Sequence, residues 1–279
     1  MGVWEYGSEG FKLLNHLFPY FHTPILPYYL CSMQIIPLSE GAFTVDKTKQ
    51  FVSFDADVDD LQKRSAGSLL VEIQPFLVLT EKDVLLMDTG LGFEENGELK
   101  IHQIIRKAGV DPNSVTKILM SHLHKDHVGG MSRKLPDGSR AASFPQAIYY
   151  VQQRELEYAF EKGYPSYETE PFSFLEHFSN LVKLEGNGLI DGYIRYELTG
   201  GHCPFHQVFH IEAEGQHAFF GGDVAPQLNQ MKNRFVAKYD YDGKKCMDLR
   251  QQWWEKGQKE GWTFMFYHDI KNPIWRNIF

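Results

Sequence analysis

From Met33 onward, short apolar runs alternate with polar breaks, and the period of each run decides what it becomes. Runs rich in aliphatic, aromatic and β-branched residues and bounded by turn formers predict strands. In chain order these are Gln34–Pro37, Leu69–Ile73, Phe76–Thr80, Val84–Met87, Lys117–Met120, Ala147–Val151, Tyr193–Leu198, Val208–Glu212, His217–Phe220 and Thr263–Phe266. Glu81-Lys82-Asp83 separates two apolar runs as a hairpin turn does, so an antiparallel meander is expected to lead into Asp88-Thr89-Gly90. Helices are fewer. Ile101, Ile104, Ile105 and Ala108 recur at i, i+3, i+4 and i+7, and Asp248–Lys259 also reads as helix. No internal repeat or low-complexity tract interrupts the series, so residues 33–279 read as one domain.

The first 32 residues stand apart. Phe11 to Leu30 is rich in Leu, Phe and Tyr, but Asn15, His16, His22, Pro19, Pro24 and Pro27 interrupt it. No run of about 20 apolar residues is left to span a bilayer, and no basic cluster or small-x-small site marks a signal peptide. Residues 1–32 therefore read as a loosely attached N-terminal extension.

Composition narrows the function classes. With 43% hydrophobic and 23% charged residues, the chain sits among folded globular proteins. The 28 Lys and Arg against 36 Asp and Glu give a net charge of −8, which argues against a broad basic surface and so against nucleic acid or anionic membrane as partner. Cys31, Cys203 and Cys246 are odd in number and widely spaced. A disulfide framework is not expected, and the cytoplasm is the compartment this usage points to.

Candidate chemistry enters at Ser121-His122-Leu123-His124-Lys125-Asp126-His127-Val128-Gly129-Gly130. Four metal-capable side chains fall within six residues, on a loop that follows a buried-looking strand and ends in Gly-Gly. Imidazole with carboxylate suits Zn²⁺, with Mn²⁺ or Fe²⁺ as alternatives. His122 and His124, two apart on extended backbone, project to the same side and can grip one ion, while Asp126 and His127 can face a second. The bland alternative is a solvated loop with scattered histidines, but so dense a set is costly to hold together without a cation.

Three more positions lie at the ends of predicted strands: Gly200-Gly201-His202-Cys203-Pro204-Phe205-His206, Gly221-Gly222-Asp223 and Tyr267-His268. In order, H-x-H-x-D-H, a His after a Gly-rich turn, a Gly-Asp and a late His, the chain resembles the metallo-β-lactamase-fold hydrolases. The resemblance covers Met33 to the C-terminus. It implies an α+β fold, an αββα sandwich of two mixed β-sheets flanked by helices, with the site at one edge. It places His122, His124 and His202 on a first metal, Asp126, His127 and His268 on a second, and Asp223 as the bridge. Two zinc ions are the implied cofactors. Asp88 matches a position that orients ligands from behind, and His206 one that serves as a structural hydrogen-bonding group. Cys203 reads as a packing residue, as do, on the surface or within it, His16, His22, His102, His177, His210 and His217. Tyr267, next to His268, is expected to point to the opposite face and away from the chemistry.

A hydroxide bridging two cations about 3.5–4 Å apart is a nucleophile at neutral pH, so the implied reaction is hydrolysis, with Asp126 and Asp223 as the catalytic carboxylates. Flavodiiron members carry an acidic residue where this chain has His124, RNA-processing members add arms and basic surfaces, and zinc β-lactamases carry Cys where Asp223 stands. The remaining pattern resembles N-acyl-homoserine lactonases and methyl parathion hydrolase-like enzymes. It implies a small-molecule lactone or ester as substrate. Phosphotriester or thioester hydrolysis, or a non-hydrolytic member that is an iron-loaded oxidoreductase or a metal-binding protein, are the alternatives. Between Asp223 and His268, Phe235, Tyr239, Tyr241, Trp253 and Trp254 can line an apolar pocket, although a tryptophan there can equally anchor a helix. Lys232, Arg234 and Lys238 read as solvated charges, with an anionic substrate group as the alternative partner.

Overall fold

The computed structural model describes residues 32–277; residues 1–31, which hold most of the expected extension together with His16, His22 and Cys31, lie outside the described residues. The strands, in chain order, are β1 (Gln34–Pro37), β2 (Gly41–Val45), β3 (Phe51–Phe54), β4 (Leu69–Ile73), β5 (Phe76–Leu79), β6 (Val84–Met87), β7 (Lys117–Leu119), β8 (Ile148–Gln152), β9 (Leu181–Leu184), β10 (Gly188–Ile190), β11 (Ile194–Leu198), β12 (Gln207–Ala213), β13 (Gln216–Phe220), β14 (Thr263–Met265) and β15 (Ile274–Arg276). Two further two-residue and three-residue hairpins decorate them. The helices are α1 (Lys100–Lys107), α2 (Lys125–Val128), α3 (Gln153–Lys162), α4 (Leu228–Lys232) and α5 (Gly243–Glu260).

Two six-stranded sheets form, in the orders β1-β5-β6-β7-β8-β9 and β10-β11-β12-β13-β14-β15. Both are mixed: β6, β7, β8 and β9 run parallel in the first, and β13 and β14 run parallel in the second. The period of two along each strand sorts the side chains into layers. Val78, Leu85, Met87 and Leu119 of the first sheet meet Phe209, Ile211, Phe220 and Met265 of the second in one buried core. Their chain neighbours Leu77, Leu86 and Ile118 face outward and are covered by Ile101 and Ile105 of α1 and Leu156 of α3. On the other outer face, Val208, Phe219 and Phe264 are covered by Met231 of α4 and Cys246 and Trp253 of α5. The result is the expected αββα sandwich. Trp253 and Trp254 anchor α5, packing on Phe219 and Trp275.

The expected β5–β6 hairpin forms around Glu81-Lys82-Asp83, with β1 antiparallel on its other side, and Leu69–Ile73 lies outside it. Gln74-Pro75 breaks the ladder, since Pro has no N–H to give, and β4 pairs with β2 in a separate three-stranded sheet, β3-β2-β4. Away from the candidate site a buried ion pair pins the sheets together. Lys117 Nζ lies 2.5 Å from Asp83 Oδ1 and 3.0 Å from Asp191 Oδ2, and the Tyr193 hydroxyl donates to Asp83.

His210 and His217 pair across β12 and β13, with Nδ1 and Nε2 3.0 Å apart and the His217 ring stacked on Trp262. Burial holds His210 at about 2 and His217 at about 4, below the ordinary histidine value. The unfolded chain thus takes up protons first as pH falls, so this contribution to stability is complete above about pH 6.5 and is lost progressively toward the folded values. The melting temperature should fall from pH 6.5 to 4.5, with a shallower slope in His210→Phe; equal slopes in thermal melts of both proteins would remove this account.

Candidate metal centre

Strand ends, not strand interiors, build the site. Asp88 follows β6, His122 to His127 follow β7, His202 follows β11, Asp223 follows β13 and His268 follows β14. All five strands deliver their exits to one edge of the sandwich. The loop after β7 turns at once into the four-residue α2, and Gly129 then passes so close to the Asp88–Gly92 segment that a Cβ there would lie 2.1 Å from the Leu91 carbonyl. Gly222 is equally constrained: its φ is +46° and a Cβ would lie 2.7 Å from His206 Nε2.

Seven predicted side chains converge. His122 Nε2 lies 2.9 Å from His124 Nδ1, which lies 3.1 Å from His202 Nε2. Donors about 2.0–2.1 Å from one tetrahedral ion stand about 3.3 Å apart, so these three nitrogens fit a shared cation. A second group joins Asp126, His127 and His268, with Asp126 Oδ2 3.7 Å from His127 Nε2 and 3.6 Å from His268 Nε2. Asp223 stands between the groups. Its Oδ2 is 3.3 Å from His202 Nε2, whereas its Oδ1 is 3.3 Å from His127 Nε2 and 3.1 Å from His268 Nε2.

Hydrogen bonds behind the ring atoms fix which nitrogen faces inward. His127 Nδ1 donates to Asp88 Oδ2 at 2.7 Å, and His268 Nδ1 donates to the Glu72 carbonyl at 2.7 Å. His122 Nδ1 meets Ser121 Oγ at 3.0 Å, and that hydroxyl donates to Asp88 Oδ2 at 2.6 Å. His202 Nδ1 donates to Asp240 Oδ1 at 2.9 Å. With its proton on Nδ1, His127 offers a lone pair at Nε2, and Nε2 is buried without a hydrogen-bond partner, as is the facing Asp223 Oδ1. Two lone-pair donors facing each other in a dry site call for a cation between them.

The electrostatics draw positive charge to this position. Burial opposes charge on His127 and His268, but the carboxylates of Asp223 and Asp126 outweigh it and hold both above the ordinary value, so that a proton occupies these nitrogens until a cation displaces it. Asp223 is itself held well below the usual carboxylate range, since His268, His127 and His202 outweigh the effect of burial. Burial and neighbouring imidazoles push His122 and His124 well down, leaving both rings neutral.

His206 keeps a structural part: its Nε2 accepts from the Asp223 amide at 3.2 Å and its Nδ1 meets Thr199 Oγ1 at 3.1 Å. Cys203 is buried against Glu155, 3.4 Å from Oε2, and away from the ligand groups. Tyr267 is corrected. Strand β14 ends at Met265, so alternation no longer governs residue 267, whose ring stacks on His127 at 4.1 Å while its hydroxyl donates to the Asp126 carbonyl at 2.7 Å. Asp240 and Glu155 escape sequence reading altogether. Glu155, on α3, accepts from the Leu123 amide at 3.1 Å and the Tyr167 hydroxyl at 3.2 Å, bracing the His122–His124 loop. Neither carries a local signal, because each acts on residues more than thirty positions away.

Residues 72–268 match the Metallo-beta-lactamase superfamily, and the chain belongs to that superfamily. It is 31% identical over 112 residues to the N-acyl homoserine lactonase AttM of Azorhizobium caulinodans, an alignment that covers 38% of this chain and 39% of that protein. The chain thus spans about two fifths of the length of that relative. With the N-acyl homoserine lactonase of Bacillus thuringiensis it shares 27% identity over 226 residues, 74% of this chain and 84% of the relative. Among solved structures it is similar to AidC, a dizinc quorum-quenching lactonase in complex with a product, with a TM-score of 0.65 at 17% identity, covering 87% of this chain and 89% of that one. No helix among the described residues is long and apolar enough to cross a membrane.

Asp88→Ala would strip partners from the Ser121 amide, the Ser121 hydroxyl and His127 Nδ1, all buried. At roughly 1–3 kcal/mol for each buried group left unsatisfied, partly relieved by relaxation, we expect a loss of about 3–5 kcal/mol in denaturant unfolding. A loss under about 1 kcal/mol would remove Asp88 from its supporting part.

Proposed function

We propose that this protein is a dinuclear metal hydrolase, with zinc as its native ion, that opens a small lactone or cleaves a small ester. The observation that carries the dinuclear reading is Asp223, whose two oxygens each face a different imidazole group. His122, His124 and His202 would hold one ion and Asp126, His127 and His268 the other, with Asp223 shared. The imidazole-rich donor set suits zinc. The lactone bond is supported by the likeness to the N-acyl homoserine lactonases of Azorhizobium caulinodans and Bacillus thuringiensis.

When bound, a cation pair supplies Lewis acidity, making water nucleophilic at neutral pH and polarising a carbonyl. The chain's own residues do the rest. Asp223 brings both ligand groups to one carboxylate and fixes their separation. Asp126, held from behind by the Tyr267 hydroxyl on its carbonyl, presents a carboxylate that takes the proton from attacking water and returns it to the departing alkoxide. Proton count balances: water loses one proton, and the leaving oxygen gains it. His127 is kept in register for this by Asp88 in front of its Nδ1 and Tyr267 beneath its ring.

Zinc-reconstituted protein should release acid from an N-acyl-homoserine lactone, and His202→Ala or Asp223→Ala should lose on the order of 100-fold or more, at least the loss that an outer-shell partner brings. Absence of ring opening in protein carrying two ions would move the substrate to phosphotriesters, thioesters or other esters. Asp126→Asn should bind metal more weakly and turn over more slowly, the loss in kcat exceeding that in KM; a variant with both ions and full kcat would end the proton-carrying assignment.

A further inference from the structure

Segment 233–242, between α4 and α5, is tied to the candidate centre from two sides. The Tyr241 amide donates to the His202 carbonyl at 3.0 Å and the Asp242 amide to the Gly201 carbonyl at 2.8 Å. Arg250, fully buried on α5, donates to the Val224 carbonyl at 2.8 Å beside Asp223 and to the Phe235 carbonyl of the segment. Between these ties sits Asp240, its side chain 1% exposed, with Oδ1 accepting from His202 Nδ1. A carboxylate with this degree of burial and an unpartnered second oxygen is costly, and among the described residues His202 is the side chain that donates a hydrogen bond to it from nitrogen.

We propose that Asp240 is the positioning residue of the first metal position: it holds His202 with the proton on Nδ1 and the Nε2 lone pair inward, and through His202 it couples metal binding to the order of segment 233–242. The inference rests on the metal reading above. Each other inward-facing Nε2 has its own support, from Asp88 for His127, from the Glu72 carbonyl for His268 and from Ser121 for His122. Among the described residues, Asp240 is the carboxylate that meets a residue of the first group at the nitrogen facing away from the other candidate ligands, whereas Asp223 meets the same ring at Nε2. A negative charge on the far nitrogen makes the imidazole a stronger donor, and its removal frees the ring to turn. The segment that follows the ring also carries the exposed Phe235, Tyr239 and Tyr241, and Tyr239 lies against His202 with ring centroids 6.2 Å apart.

The test compares the full chain with Asp240→Ala and Asp240→Asn. Zinc affinities are read by chelator competition, and amide exchange at Tyr241 and Asp242 by mass spectrometry. In Asp240→Ala one of the two ions should bind ~10- to 100-fold more weakly while the other keeps its affinity. Exchange at both amides should quicken, and the cobalt-substituted spectrum should change at one position. Asp240→Asn, which keeps shape and an acceptor oxygen, should recover part of the affinity; it also decides the matter should the alanine variant not fold. Two ions bound with wild-type affinity and an unchanged cobalt spectrum in a folded variant overturn the assignment of Asp240 alone. A wild-type chain that takes up no ion overturns the metal reading, and this inference with it.

Discussion

One carboxylate caught between two groups of imidazoles sets the terms for the whole edge of this molecule. Asp223 reaches His202 with one oxygen and His127 and His268 with the other, so its position fixes how far apart the two groups can stand. Nothing local could hold it there. Its backbone is pinned by a hydrogen bond from its own amide to His206, and the left-handed Gly222 before it leaves no room for a Cβ against that ring. A neutral His206 is needed for this, since only an unprotonated Nε2 accepts, and burial with the adjacent His202 keeps it so.

The same constraint explains why the site depends on two sheets rather than one. The first sheet supplies Asp88 and the His122–His127 loop, and the second supplies His202, Asp223 and His268. Their meeting is enforced by the apolar layer between them, where Phe76 and Phe220 pack edge to face, and by polar ties at the site edge itself. Gln207 at the start of β12 donates through its amide to the Ser121 carbonyl and through its side chain to Met120, and Tyr267 reaches across to Asp126. Apolar burial is strong but non-directional, so it brings the layers together without fixing their register. The directional bonds do that, and they lie where register matters to chemistry.

Much of this was legible along the chain, for a physical reason. A buried strand is apolar and short, so β6 is legible at its bounds, as is the apolar run of β4, while the i, i+3, i+4 spacing of isoleucines gives α1 within a residue. The metal-capable residues were legible because their chemistry is concentrated at strand exits between glycines. What stayed hidden has no pattern to show. Gly41–Val45 and Phe51–Phe54 are half-exposed strands whose pairing, not their composition, defines them. The three-residue β7 pairs on both sides within the sheet, whereas Leu181–Leu184 sits at its edge and alternates too weakly to be read. Alternation misleads at Tyr267, because its strand ends at Met265. Asp240 and Glu155 are single acidic residues on or near helices, and only the fold says what they face.

The supporting residues follow a rule that the ligands alone do not reveal. Five inward-facing imidazoles and two carboxylates in a volume this dry are unfavourable for the bare chain, since each loses water and the neutral rings bring no compensating charge. Two of the carboxylates that brace them are themselves buried and multiply bonded: Asp88 accepts from Ser121 twice and from His127, and Glu155 accepts from Leu123, Tyr167 and Cys203. Such networks are stable only when complete, because a half-satisfied buried carboxylate costs more than an apolar side chain in its place. Preorganisation is the return on that cost. A cation entering such a frame would meet donors already turned inward, so on the proposed reading its binding energy would go into holding the two sheets together rather than into gathering ligands.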